Sequence, residues 1–209
     1  MVANLASPVT ISFKALSGMG TDASGKKNGY SDPRSTTYAG DAEVVSWPST
    51  PRISQSIDVN YQTWELQHTN YQPSAFGNRS VPVVTITGPW FSRNTAEAVK
   101  TLRCIHLLRS ATSMFYGRGD SKKGTPPPIG RLSAHGLYNN TPVVVKNFQY
   151  DYPNDVDYIT AEVFGGTQAV PVLFDMSVSL IVQMNMIDAV KNYTLADFVS
   201  GTLLGDGYI

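Results

Sequence analysis

The sequence predicts a mainly β fold carrying one long α-helix. Three observations lead there. Apolar residues recur with a period of two in several short runs. The 22 residues from Thr95 to Tyr116, which follow a helix start signal, hold neither Gly nor Pro. The segments between these runs are rich in Gly, Pro, Ser, Asn and Asp, the residues of turns and loops.

The clearest strand comes late in the chain. Phe174, Met176, Val178, Leu180 and Val182 alternate with Asp175, Ser177, Ser179, Ile181 and Gln183. Successive strand side chains point to opposite faces, so this pattern predicts one face on a core and one outside it. Val144, Phe148, Tyr150 and Tyr152 are placed on one face, opposite Val145, Asn147, Gln149 and Asp151, with Lys146 as the exception on the apolar side. Val9, Ile11 and Phe13 form a short strand near the N-terminus. Val81 to Thr87 and Leu132 to Tyr138 read as further strands. In Ile57 to Leu66 the apolar parity changes between Tyr61 and Trp64, which places a bulge near Gln62–Thr63.

The helix has a start signal and a stop signal. Asn94 stands at the N-cap and Glu97 three residues on, where a capping-box acid belongs; Gly117 and Gly119 end the run. Two stripes, Ala98–Leu102–Ile105–Thr112 and Cys104–Leu108–Ala111–Phe115, make a wide apolar face that needs a sheet or a neighbouring subunit against it. A short helix follows at Leu195 to Val199, capped by Thr194 and closed by Gly201. Ser17 to Gly40 and Gly117 to Pro128 read as loops, the second ending in three prolines.

Composition narrows the function classes. There are 16 basic and 16 acidic residues, a net charge of zero, where a nucleic-acid binder carries a basic excess or patch. Charged residues are 15% of the chain, well below the usual quarter, which points to a surface covered by neighbours. The lone Cys104 excludes an internal disulfide and a cysteine-cluster metal site. Met1 to Pro8 lack the features of a signal peptide, and no apolar run is long enough to span a bilayer. The expectation is a soluble protein made in a cytoplasm, with no membrane partner.

No constellation predicts catalysis. Gly20 to Lys27, GTDASGKK, approaches a phosphate-binding loop, but Lys27 stands where Ser or Thr would hold magnesium, and turn sequence follows where a helix belongs. Arg118–Gly119–Asp120 reads as a polar turn. Asp151, Asp155 and Asp157 lack the glycine and closing glutamate of a calcium loop and read as a turn at a strand end. Cys104 and His106, two apart on a helix, do not face each other; His68 and His135 have no acid or nucleophile nearby in sequence. The triple proline reads as a stiff loop. The expectation is therefore no enzyme, with no catalytic, cofactor or metal residues and no cofactor.

Several runs, in order around the helix, carry a resemblance. They are Tyr61–Gln62–Thr63–Trp64–Glu65–Leu66 with Tyr71–Gln72–Pro73–Ser74–Ala75–Phe76, then Gly124–Thr125–Pro126–Pro127–Pro128. Pro142–Val143–Val144–Val145 leads on through Tyr152–Pro153–Asn154–Asp155–Val156–Asp157–Tyr158–Ile159. Val170–Pro171–Val172–Leu173 and Phe198–Val199–Ser200–Gly201–Thr202–Leu203 complete the set. Together they resemble the baseplate tail-tube proteins of T4-like contractile-tailed bacteriophages, the tube initiator and tube cap subunits. The match covers the chain from about Ser56 onward; the first fifty-odd residues match nothing in that family.

The resemblance implies two packed β-sheets with a flanking helix, six copies closing into a ring whose inner strands form one barrel. By it, residues 1–50 are an N-terminal strand with a flexible arm or loop, and residues 51–209 are the tail-tube-like domain. The implied role is a structural virion protein: a baseplate tube-initiator ring that joins the central hub to the tail tube and nucleates tube assembly. The implied partners are other copies in a homo-hexamer, the hub, the main tube protein, and tape-measure and sheath-initiator or wedge proteins. DNA would pass through the lumen only, and assembly would take place in the host cytoplasm. The alternatives are a main tail-tube subunit and a tail-associated β-rich binding or enzymatic domain.

Overall fold

A computed structural model describes residues 9–13, 44–114, 124–163, 166–183 and 194–201. Seven antiparallel strands form the main sheet: β1 (Thr10–Ser12), β2 (Val44–Ser46), β3 (Arg52–Ser56), β6 (Val83–Phe91), β7 (Gly130–Ala134), β8 (Tyr138–Asp151) and β11 (Leu173–Val182). Their order is β2-β1-β7-β8-β11-β6-β3. Two hairpins stand apart from it: β4 (Val59–Thr63) with β5 (Ser74–Arg79), and β9 (Tyr158–Val163) with β10 (Gly166–Pro171). Helix α1 spans Thr95–Ala111 and the short α2 spans Leu195–Ser200.

The late alternating run lies where its pattern places it. Phe174, Met176, Val178, Leu180 and Val182 of β11 are all buried, in one cluster with Cys104, Ile105, Leu107, Leu108 and Ala111 of α1. The other half of the helix serves a second cluster, in which Ala98 and Leu102 meet Ala161 of β9 and Val170 of β10. The helix thus lies between the main sheet and the β9–β10 hairpin. Where the resemblance implies two packed sheets closing into a barrel, the structure has one large sheet, a helix and two small hairpins, and the large sheet is open, with β2 and β3 at its edges.

Four expectations are corrected. In β8 the core-facing residues at the start are Val143, buried, and Val145, partly buried, not Val144, and further along Phe148, Tyr150 and, just past the strand, Tyr152 are partly buried. The register against β11 shifts between Ser179 and Leu180: Ser179 faces Asn147 while Leu180 faces Val145, which leaves Lys146 as the extra residue. A bulge changes the phase of every side chain beyond it, and this is why a charged residue interrupts the apolar side.

Leu132 to Tyr138 is not one strand but a hairpin. His135 and Gly136 both have positive φ, 47° and 75°, and Leu137 N–H donates to the Ala134 carbonyl at 3.0 Å. That is the tight turn whose twist suits paired strands.

The helix ends at Ala111, five residues short of Tyr116, and Thr112 is exposed rather than on the apolar stripe. The Thr112 and Ser113 hydroxyls both donate to the Arg109 carbonyl, at 2.8 and 3.2 Å, and so compete with the next turn of helix. The start is as expected: Glu97 N–H donates to Asn94 Oδ1 at 2.9 Å. The Glu97 carboxylate accepts from Arg93 N–H at 2.8 Å.

The fourth correction concerns Ile57 to Leu66, which has no buried face at all. The register shift there lies between Asn60 and Tyr61, and the extra residue is Gly77 on the partner strand. A Cβ on Gly77 would stand 3.1 Å from the Asn60 carbonyl oxygen, so the bulge suits a glycine.

α2 follows its prediction closely, with Thr194 Oγ1 accepting from Asp197 N–H at 3.1 Å and Gly201 at φ 78°. Ser17 to Gly40 lies outside the described residues.

Tight packing holds the sheet's two ends. Gly88 leaves room for Pro51, whose Cβ would lie 3.0 Å from an added Cβ, and Gly130 leaves room for the Phe13 ring at 2.7 Å. Tyr138 of β8 donates its hydroxyl to Gln55 Oε1 of β3 at 3.0 Å, although β11 and β6 separate the two strands in sheet order. The sheet must therefore curl around its core.

Two stability outcomes follow from this packing. Val178→Asp places an unpartnered carboxylate at a fully buried site and should cost several kcal/mol, read as a lower denaturant midpoint. Gly130→Ala should destabilise by about 1–3 kcal/mol, because Phe13 is fully buried and cannot retreat. Adding Phe13→Leu to Gly130→Ala should recover part of that loss in a double-mutant cycle, whereas additive effects would mean that the two residues do not touch.

Candidate functional site

Of the positions with a chemical flavour in the sequence, Asp151 and Asp155 come together, lining with Asp175 a cavity of about 270 Å³. Cys104 is buried in α1 without a disulfide. His106 is half-buried, with Nδ1 3.5 Å from Ser110 Oγ one turn on. His68 and His135 occupy left-handed backbone positions at two different hairpin ends, φ 61° and 47°, which short polar side chains tolerate. Asp151 closes β8, and Tyr158 Oη donates to the Pro153 carbonyl at 2.7 Å across the turn that holds Asp155 and Asp157. Among the described residues, no group of three His, Cys, Asp or Glu could hold a metal ion, and no helix is long and apolar enough to cross a membrane. Pro128, last of the triple proline, is buried. Gly20 to Lys27 and Arg118–Gly119–Asp120 lie outside the described residues.

Three surfaces stand out instead. The first is the face of the main sheet turned away from the core. Strand register lines up Asn147, Ser179, Thr85 and Ser54 in one row across β8, β11, β6 and β3, and Gln149, Ser177, Thr87 and Arg52 in the next. Thr85 and Ser179 share a hydroxyl hydrogen bond of 3.1 Å, and Thr87 and Ser177 one of 3.0 Å. The wall is made of hydroxyls and amides, with Arg52 its one charge in these two rows. At its end Asp175 and Asp151 are direct cross-strand neighbours, a like-charge pairing that costs stability.

The second surface is an arm. β3 pairs with β6, and β4 then pairs with β5, so that Arg52 to Thr87 is one long hairpin whose outer part leaves the sheet. Asp58 and Ser80 hold the junction through hydrogen bonds of 2.8 to 3.0 Å, and Trp64 N–H donates to the Pro73 carbonyl at 3.1 Å near the tip. Tyr61 and Phe76 meet edge to face on one side, while Asn60 and Asn78 bond through their amides on the other. Tyr61, Trp64, Leu66, Tyr71 and Phe76 are between 51% and 83% exposed. A two-stranded ribbon without a second layer is marginal in water, and so many large apolar groups on one element mark an interaction surface. The alternation of Ile57, Val59 and Tyr61 signals a strand in the sequence, but nothing local tells a strand that faces a core from one that stands exposed.

The third is a cavity of about 330 Å³ beside the first turns of α1, whose lining includes Trp47, Trp90, Arg93, Glu97 and Lys100. Trp47 and Trp90 meet edge to face at 6.0 Å, and both indole N–H groups are buried with no hydrogen-bond partner. Each such orphan donor costs about 1–3 kcal/mol. The Arg93 guanidinium lies 4.8 Å above the Phe91 ring.

From Trp90 a file of rings runs through the structure: Phe174, Tyr152, Tyr150 and Phe148 follow at centroid distances of 6.4, 5.2, 5.1 and 5.9 Å. Arg109, in the last turn of α1, donates to the Tyr150 hydroxyl. Burial pushes the Tyr152 phenol up to about 12, helped by Tyr150 and opposed by Arg109. Burial also raises the Tyr138 phenol.

No protein-family model matches the chain, and no curated protein matches it in sequence.

The raised phenol sets an alkaline limit on stability. Above pH 10 the unfolded chain loses the Tyr152 proton while the folded chain keeps it up to about 12, so stability falls as pH rises through that window. Tyr152→Phe should flatten the fall between pH 10 and 12, measured by urea unfolding at each pH. An unchanged slope would mean that Tyr152 ionises as freely in the folded state as in the unfolded one.

Proposed function

We propose that this protein is a structural subunit of a contractile phage tail, a tube-initiator ring that joins the baseplate hub to the tail tube. The arm is the observation that carries the reading. An exposed apolar ribbon rooted in a well-packed sheet suits a protein whose working form is an assembly.

The runs that resemble the tail-tube proteins also fall on meaningful elements. Tyr61 to Leu66 and Tyr71 to Phe76 form the two sides of the arm, and Pro142 to Ile159 forms β8 and its turn into β9. In this reading six copies join their curled sheets around a lumen, which covers the open edges β2 and β3 that would otherwise invite aggregation. The hydroxyl and amide wall faces the lumen. Its two rows offer one cation, Arg52, and the Asp151–Asp175 pair repels phosphate, so DNA could pass without being held. The partners are then the hub, the main tube protein, tape-measure and sheath-initiator or wedge proteins.

As an initiator, a ring of this protein should template growth of the main tube. An isolated tube subunit loses conformational and rotational freedom before it gains contacts, and a preformed ring supplies lateral and axial contacts together. Purified tube subunit mixed with this protein and its hub should polymerise without the lag seen when they are left out, followed by light scattering. Electron microscopy should find the protein at one tube end. Equal growth in its absence would remove the initiator role; many stacked tiers of this protein in a virion would make it the main tube subunit.

A further inference from the structure

The arm and the tryptophan cavity stand at opposite ends of the same strand. β6 begins at Val83, beside the root of the arm, and ends at Phe91, beside Trp90 and Arg93 of the cavity. Nine residues of strand at about 3.3 Å each separate the two ends by roughly 30 Å, and the arm joins the end remote from the cavity. A chain therefore cannot seat its own arm in its own cavity.

Their chemistry is complementary. Between Val59 and Asn78 the arm has one formally charged residue, Glu65, at an exposed tip flanked by the exposed Trp64 and Leu66. The cavity rim carries Arg93 and Lys100 against a single acid, Glu97, and the Glu97 carboxylate already accepts from the Arg93 backbone N–H. The N-terminal turn of α1 adds its own preference for a negative group. Behind the rim are two buried indole N–H groups without an acceptor, in an aromatic wall that suits a large apolar side chain. A cavity of about 330 Å³ lies at the lower end of the range for binding sites and has room for the side chains of a protein tip.

We infer that the arm tip of one copy docks at the Trp47–Trp90–Arg93–Lys100 cavity of a second copy of this chain, with Glu65 against the basic rim. The contact joins different surfaces on the two copies, the head-to-tail kind that generates closed rings when the rotation between copies closes. It rests on the ring-subunit reading above and names the surfaces by which copies recognise each other.

Charge reversal tests it. Sedimentation velocity of the wild-type chain over a concentration series gives the concentration of half assembly. Glu65→Lys and Arg93→Glu should each raise that concentration at least about tenfold, and the two together in one chain should bring it back towards wild type. Both positions are exposed, and circular dichroism verifies that each variant is folded. As an independent readout, a Glu65→Cys chain mixed with a Lys100→Cys chain should give a cross-linked dimer with a short bismaleimide. Either chain alone should give none, because Cys104 is buried.

Assembly that is indifferent to both reversals, with no cross-link, would overturn this contact and leave the ring reading standing. So would a Glu65→Cys tip that cross-links only to a hub protein. A wild-type chain that stays monomeric at every concentration, with and without hub, would overturn the ring reading and this inference with it.

Discussion

Strand β11 is hydrogen-bonded to β8 on one side and to β6 on the other, and each residue on its inner face is buried. That double pairing constrains everything around it. A shift by one residue would turn Phe174, Met176, Val178, Leu180 and Val182 outward and bring the serines and Asp175 in, a change no neighbour could absorb. β6 is held in register by β11, β3 by β6, and the arm by β3. The direction in which the arm leaves the sheet thus depends on a strand that is nowhere near it in sequence. α1 closes the core from above, and its second cluster ties the β9–β10 hairpin to the same body.

The same constraint makes the outer wall. If the inner face of β11 is wholly apolar, the alternate residues must form a surface of their own. Here they are Ser177 and Ser179, matched by Thr85 and Thr87 across the strand boundary. Their hydroxyls satisfy one another, which leaves a face with little appetite for ions. The arm is the opposite case, a ribbon with aromatic groups and no layer beneath. One element is finished by the fold and the other leaves its apolar residues exposed. The proposed ring uses both, the wall as a passive lining and the arm as the contact.

Much of the architecture is legible in the sequence where a local rule has no competitor. The β11 pattern, the Asn94–Glu97 start of α1, and the Thr194 and Gly201 ends of α2 are all short-range features. Where competition enters, local reading fails for identifiable reasons. Lys146 looks like an error in an apolar face, yet it is a bulge that changes phase. Leu132 to Tyr138 looks continuous because Gly136 is the one strong turn residue within it. α1 stops early because two hydroxyls take a carbonyl that the next turn needs, and the Gly residues further on mask that signal.

The sequence by itself determined a mainly β chain with one long helix, its strongest strand, the residues that cap its helices, and a net charge of zero. These depend on neighbours within a few positions, where covalent geometry and side-chain chemistry act directly. Only the tertiary structure decided that Tyr61 and Phe76 face outward and that Trp47 and Trp90 line one cavity. The arm tip and the basic rim at opposite ends of β6 are likewise visible only in the fold. The physical reason is that burial belongs to no single segment: the same alternating pattern is a core strand under a helix and an exposed arm where no layer covers it.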